Sequence, residues 1–465
     1  MITFNKRLFF WLIKAYLKKW GKVIFLSFFA GLLGFFLFMF FSKNVAHLFP
    51  QKERIGIVGA YTIDNLPTTI TQYLSRGLTK VSESGSIEPD LALSWEIREQ
   101  GKVYIFHLKK GIFFSGGKEV TSERLGYDFK DAKTEMPDKY TIQFRLKEPY
   151  APFLATLSRP IFPKGLNGLG EYTLGSVKIN GGYVSSVVLT NVKDKRNQKT
   201  YIFYPNQEVL KTSFLLGETT KIIGVTDTGF TNTASTENRA LNTDFKDHHN
   251  TAIEQKINYN LLVTLFYNTK HEVLSDNKLR KAFTYSLPDT FTQGQRNYLP
   301  YSPKSLYFNA DIPNKSQDLS HAKLLVDAAF SGSSESARRV ITLKTLTRYR
   351  PVADQLAKIW EKLGIKIKIE EVDIKPDVFE MYLGELFVPL DPDQYELWHS
   401  KSEHNSTRFD SKRIDKLLED GRSTLAVQDR KEIYDEFQKY LLDDALIDTP
   451  ASFLYFPYSH TITRK

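Results

Sequence analysis

Cysteine is absent from all 465 residues, which excludes disulfide scaffolds, cysteine metal sites and thiol catalysis. No thiol is present to carry the lipid of a bacterial lipoprotein. Acidic residues are missing from the first 52 positions, which hold Lys6, Arg7, Lys14, Lys18, Lys19, Lys22, Lys43 and Lys52. The formal charge of +10 is concentrated there, leaving 55 basic against 53 acidic residues in the rest. A body so nearly neutral carries no basic footprint for nucleic acid. The patterns G-x-S-x-G, H-E-x-x-H and G-x-x-x-x-G-K-[ST] are also missing, so no catalytic constellation can be named and ATP hydrolysis would fall to a partner. No fixed-period repeat occurs, which argues against a propeller or solenoid.

Charge is absent again from Val23 to Phe41 (VIFLSFFAGLLGFFLFMFF). Nineteen residues at about 1.5 Å each give about 28 Å, close to the hydrocarbon thickness of a bilayer. Six basic residues precede the run, so the positive-inside rule predicts a single-pass anchor in the cell membrane with a cytoplasmic N-terminus and an extracytoplasmic main domain. A cleaved signal peptide is the competing reading. It would want a shorter apolar core and a small-x-small site, and Ser42-Lys43-Asn44-Val45-Ala46-His47 fits that poorly. Leu8 to Trp20 mixes aromatics with lysines, as an interfacial helix on the inner leaflet does; a longer start to the same helix is the plainer alternative.

With 42% hydrophobic and 25% charged residues, the chain can bury a large core and is too long for one ordinary domain. Arg54 to Ala60 reads as a buried strand, with Tyr61 to Asp64 at its tip. Val103 to Leu108 and Tyr140 to Leu146 alternate, which predicts a small β-rich subdomain. After residue 260 strands and helices succeed one another: Leu261 to Tyr267, Asn277 to Leu287, Val340 to Leu346, Pro351 to Leu363 and Ile365 to Val372. That order predicts a second lobe with a partly parallel sheet. Asp276 and Arg280 stand at the i,i+4 spacing of an ion pair.

Ile87 to Gly117 reads IEPDLALSWEIREQGKVYIFHLKKGIFFSGG. It resembles the signature P-x-LA-x-SW-E followed by G-x-x-Y-x-F-x-L-x-x-G-x-x-F-S-x-G of the extracytoplasmic solute-binding proteins of family 5, the oligopeptide-, dipeptide- and nickel-binding type. Further landmarks follow in the family's order: LFYNT at Leu265 to Thr269, SHAKLLVDAA at Ser320 to Ala329, GIKIKIEEV at Gly364 to Val372, and Asp391-Pro392-Asp393. Trp95, Phe106 and Phe114 of the signature read as core residues.

The resemblance implies an α/β, two-lobed periplasmic-binding-protein-like (type II) fold with a trimmed extra β-rich subdomain, which the apolar run described above precedes with one transmembrane helix. The expected segments are 1–22 (cytoplasmic or interfacial), 23–42 (anchor), 53–258 (lobe I, subdomain about 85–153), 259–440 (lobe II) and 441–465 (return to lobe I). It further implies a monomer that captures a peptide or other small solute without cofactor or metal and passes it to ABC permease subunits with separate ATPases. A surface sensor or adhesin on the same fold is the alternative. Ligand contacts are expected from Tyr61 and Thr62 on one lobe, and from Phe387, Val388, Asp391, Trp398 and Asn405 on the other. The chain departs from peptide-binding relatives in two places. The connection between residues 118–123 and Tyr140 is short, and Phe387-Val388-Pro389-Leu390 stands where an acidic residue often pairs with a peptide's α-amino group. Asp391 and Glu385 are the nearest substitutes. His248, His249, His399 and His404 read as loop residues rather than metal ligands.

Overall fold

The computed structural model describes residues 6–45, 52–162, 165–166, 168–232, 241–247, 250–331, 340–442 and 449–465. It opens on a single 40-residue helix, Lys6–Val45, whose stretch Lys14–Leu37 is long and apolar enough to cross a membrane. Phe25, Leu26 and Phe36 on it are 64%, 73% and 58% exposed, so the helix is no part of the protein's core.

The body is built on a 12-stranded sheet in two halves. In the first, Lys52–Val58 lies parallel between Gln198–Tyr204 and Lys221–Val225. Tyr183–Asn191 and Tyr172–Asn180 extend it antiparallel. In the second, the apolar strand Leu261–Tyr267 is buried along nearly its whole length, as a strand covered on both faces must be. It pairs antiparallel with Met381–Phe387, which runs parallel to Ile341–Leu346, itself parallel to Ile367–Val372. The helix Arg350–Lys362 returns the chain between these parallel strands and buries Val352, Leu356 and Trp360, residues four apart that share one face.

Two long strands join the halves. Thr251–Ile257 continues after three residues into Leu261–Tyr267, and Ala451–Arg464 opposes both. The chain therefore passes between the lobes at residues 258–260 and again around Pro457. The returning strand joins the second lobe first, through Ala451 to Tyr455, and reaches the first only from Tyr458. The last strand, within the segment expected to return to lobe I, thus pairs with the second lobe on its way there.

The alternating segments form a separate antiparallel sheet in the order Ala92–Arg98, Val103–Leu108, Thr141–Leu146, Ala132–Asp138. Tyr104, Phe106, Ile142, Phe144 and Phe114 make its core; Trp95 is half-buried against Phe106. This subdomain also touches the second lobe, because Leu425 packs against its core and the Ala151 N–H donates to the Arg422 carbonyl at 2.7 Å. Asp276 is not an ion-pair partner at helical spacing: it caps the helix Asn277–Tyr285 by accepting from the Lys278 N–H at 2.7 Å. Arg280 is buried and donates to the Thr449 and Leu274 carbonyls.

Candidate functional site

The crossing at Asn258-Tyr259-Asn260 interrupts a long strand with a polar tripeptide. The Asn258 side chain accepts from the Asn260 N–H at 3.2 Å, an Asx-type turn that short amides favour. The Asn258 N–H donates to the Pro457 carbonyl, and the Asn260 carbonyl accepts from the Val388 N–H, each at 2.9 Å. Tyr259 is held by a 2.9 Å bond from its hydroxyl to Gln295.

A second wall comes from the hairpin Thr79–Val81 and Ile87–Pro89. Its turn, Ser82-Glu83-Ser84-Gly85-Ser86, gathers three hydroxyls, with Ser82 Oγ 2.8 Å from Ser84 Oγ and 2.6 Å from Ser86 Oγ. The turn reaches across to the second lobe: the Ser84 carbonyl accepts from the Leu306 N–H at 2.8 Å, and Lys304 Nζ meets Glu83 at 2.7 Å. Gly85 has φ +87°, and a Cβ there would stand 2.7 Å from the Leu390 carbonyl oxygen. Both the backbone and the close approach require glycine.

Residues 302–305 and 388–390 complete the enclosure. The resulting cavity of about 720 Å³ is bounded by the hairpin, the end of strand Thr251–Ile257, the crossing tripeptide and the second lobe. It lies where lobes meet and falls within the usual size of small-molecule sites. Its charges are compensated. The bond and charge of Lys304 hold the Glu83 carboxyl below its ordinary range, and Lys256 pairs with Glu254 at 2.8 Å. What the walls offer a ligand is the apolar side chains of Val81, Ile257, Val388, Pro389 and Leu390, the Tyr259 ring, the amides of Asn258 and Asn260 and the hydroxyls of Ser82, Ser302 and Ser305.

Of the seven residues expected to contact ligand, the structure brings Val388 to this cavity. Trp398 is corrected to a core residue: it is 1% exposed, donates from Nε1 to Gln394 at 2.7 Å and packs on Phe266 and Phe453. Asn405 is likewise structural, with its amide donating to the Phe409 carbonyl at 2.8 Å and its oxygen accepting from Thr407. Asp391 is taken by Arg430 through two bonds of 2.8 Å. Burial would lower the Arg430 pKa, yet its bond and charge to Asp391 more than offset this and hold the guanidinium protonated. Glu385 is engaged as well, accepting from Arg348 Nε at 2.8 Å and from the Tyr349 hydroxyl. Tyr61 is half-buried against Phe203, while Thr62 and Phe387 are exposed; none of these three lines the cavity. His399 is buried beside Glu419, and His248 and His249 lie outside the described residues.

Ser82, Glu83, Tyr259, Ser302 and Lys304 are among the cavity residues overlooked in the sequence. A signal existed for two groups: a serine-rich turn and an Asn-Tyr-Asn break inside an otherwise apolar strand pair.

Residues 86–134 and 124–407 match the model of the bacterial extracellular solute-binding proteins, family 5 Middle. The oligopeptide-binding protein AppA of Bacillus subtilis is 24% identical over 86% of this chain and 84% of its own length. Its crystal structure with a nonapeptide superposes with a TM-score of 0.67 at 21% identity, covering 89% of this chain and 94% of that one. NikZ of Campylobacter jejuni, crystallised with Ni(L-His), gives a TM-score of 0.70 at 19% identity over 90% of this chain and 94% of its own. At these identities the two structures establish a shared fold.

Proposed function

We infer the following from a firm premise: the chain belongs to family 5 of the bacterial extracellular solute-binding proteins. It is accordingly a non-enzymatic, extracytoplasmic component of an ABC transporter that binds peptides or similar solutes, with an N-terminal apolar helix that is signal or anchor. Our own reading goes further. The protein is held in the membrane by residues 23–42, closes its two lobes around a short peptide or similar solute and delivers it to the importer's permease.

One observation carries this reading: the cavity of about 720 Å³ at the crossing of the lobes, walled by apolar side chains and by polar groups whose charges are already paired. The carboxylates nearest the place where relatives keep an acidic anchor, Asp391 and Glu385, are both engaged by arginines. A free α-amino group gains little in such a site, because an already neutralised carboxylate offers it no net charge. Main-chain groups of an extended ligand, in contrast, match serine hydroxyls and asparagine amides. Calorimetric titration with a short-peptide library, each member free and N-acetylated, tests this. The expected result is binding with acetylation changing affinity by less than about threefold. Loss of a hundredfold on acetylation would reveal an anchoring carboxylate, and no binding of any peptide would move the ligand to another class of solute.

A further inference from the structure

The apolar run accounts for only part of the N-terminal helix, and we propose that its remainder, residues 6–22, binds the anionic lipid headgroups of the cytoplasmic leaflet by lying along the membrane surface. This rests on the anchored reading above. The helix Lys6–Val45 has 40 residues, about 60 Å at 1.5 Å per residue, whereas bilayer hydrocarbon is about 30 Å thick. Residues 23–41 fill that thickness. The preceding 17 residues, about 25 Å of helix, either project into water as a rod or bend onto the surface.

Their side chains favour the surface. Lys14, Lys18 and Lys22 are exposed and follow one another at four-residue steps, so they form a row along one helix face. No Asp or Glu occurs before residue 53 to neutralise them. Tyr16 and Trp20, 62% and 45% exposed, are also four residues apart, and at about 100° per residue they stand opposite that row. A projecting rod would leave both in water, together with Phe10, Trp11 and Leu17, which are 75%, 79% and 52% exposed. Such a run of exposed apolar surface marks a membrane or protein contact. A helix with lysines on one side and aromatics on the other buries the aromatics at headgroup depth and keeps its cations among the phosphates. Three residues depart from the division: Phe10 and Trp11 lie on the lysine side, and the exposed Lys19 lies on the flank next to Tyr16; aromatic rings are at home at headgroup depth, and a lysine there reaches the phosphates by its flexible stem. Charge selects the lipid, since unpaired lysines at a cytoplasmic surface gain most from anionic headgroups. Gly21, whose Cβ position has no neighbour within 4 Å, stands just before the last lysine of the row and two residues before the apolar run, and it is the position assigned to the proposed bend of the helix.

The absence of cysteine permits a direct test in the full chain. Spin labels on Tyr16→Cys or Lys18→Cys are read in vesicles of phosphatidylcholine alone or with phosphatidylglycerol, using oxygen as the apolar relaxant and a nickel chelate as the aqueous one. With phosphatidylglycerol present, the label at 16 should respond at least threefold more to oxygen than the label at 18, and the label at 18 more to the chelate. Omitting phosphatidylglycerol, or adding Lys14→Gln and Lys22→Gln, should abolish the difference. Two labels equally exposed to water in an intact, inserted chain would overturn the lipid-binding proposal alone. Equal burial of the label at 16 in neutral vesicles would overturn its charge selectivity. Recovery from cells of a chain cleaved after the apolar run would overturn the anchored reading and this proposal with it.

Discussion

Asp391 and Arg430 are 14% and 6% exposed and joined by two bonds, so removing one charge strands the other in a poorly hydrated place. Asp391→Ala should destabilise the protein by about 3–5 kcal/mol in chemical denaturation. Trp398→Ala should cost about as much, roughly 3–5 kcal/mol, through the void left beside Phe266 and Phe453. Both variants, where folded, should retain ligand affinity within a few-fold. A Trp398→Ala protein of unchanged stability that no longer bound ligand would restore this residue to the site. These positions were misjudged in the sequence for a physical reason. Trp398 sits in the polar stretch YELWHSKSEHN, but its packing partners lie far away along the chain, and Asp391 meets an arginine 39 positions on. Local composition carries no signal of such pairings.

At the scale of elements, one carboxylate ties three strands. Glu53 on Lys52–Val58 reaches Lys199 at 2.6 Å and Lys221 at 3.3 Å on the two neighbouring strands. Burial alone would raise its pKa, but bonds and charge from Lys199 and Lys221 prevail and hold it below the ordinary carboxylate value. With the folded pKa depressed, the contribution to stability is complete above the unfolded value of about 4.3 and disappears as pH falls through the lower folded one. Wild type should therefore be more stable than Glu53→Gln at pH 7, and the gap should close under acid. A gap that persists at pH 2 would contradict the ion-pair account. The hairpin at Ser82–Ser86 makes a separate prediction. Gly85→Ala must move the turn off Leu390, since the backbone is left-handed and the approach is 2.7 Å. It should weaken ligand binding about tenfold or more, of the order of 1–3 kcal/mol for a strained residue. Ser84→Ala, which keeps the carbonyl that meets Leu306, should bind normally. Strand and helix positions themselves were legible, because periodicity is a local property: the apolar LLVTLFY and the one-sided helix Arg350–Lys362 formed where their patterns placed them. The cavity was not, because four separated segments build it and none is distinctive alone.

For the whole molecule, two covalent crossings at residues 258–260 and near Pro457 join the lobes, while the Glu83–Lys304 pair and the Ser84–Leu306 bond link them again across the cavity. Such weak, partly exposed contacts suit a closure that ligand can tip, because a ligand shifts the balance only by binding one form better than the other. A chain beginning at Lys52 is nearly neutral in charge and has its own cores, so it should be soluble and monomeric; aggregation of it under every condition would count against an independent binding unit. Binding to the native state alone should stabilise it by about 2.7 kcal/mol at a hundredfold excess over Kd. In the proposed function the lobes move to enclose the ligand, and small-angle scattering of this chain with and without a binding peptide measures that movement. The bound state should have the smaller radius of gyration, with a curve matching the arrangement in which Glu83 meets Lys304 and Ser84 meets Leu306. Identical curves at saturating ligand would contradict it.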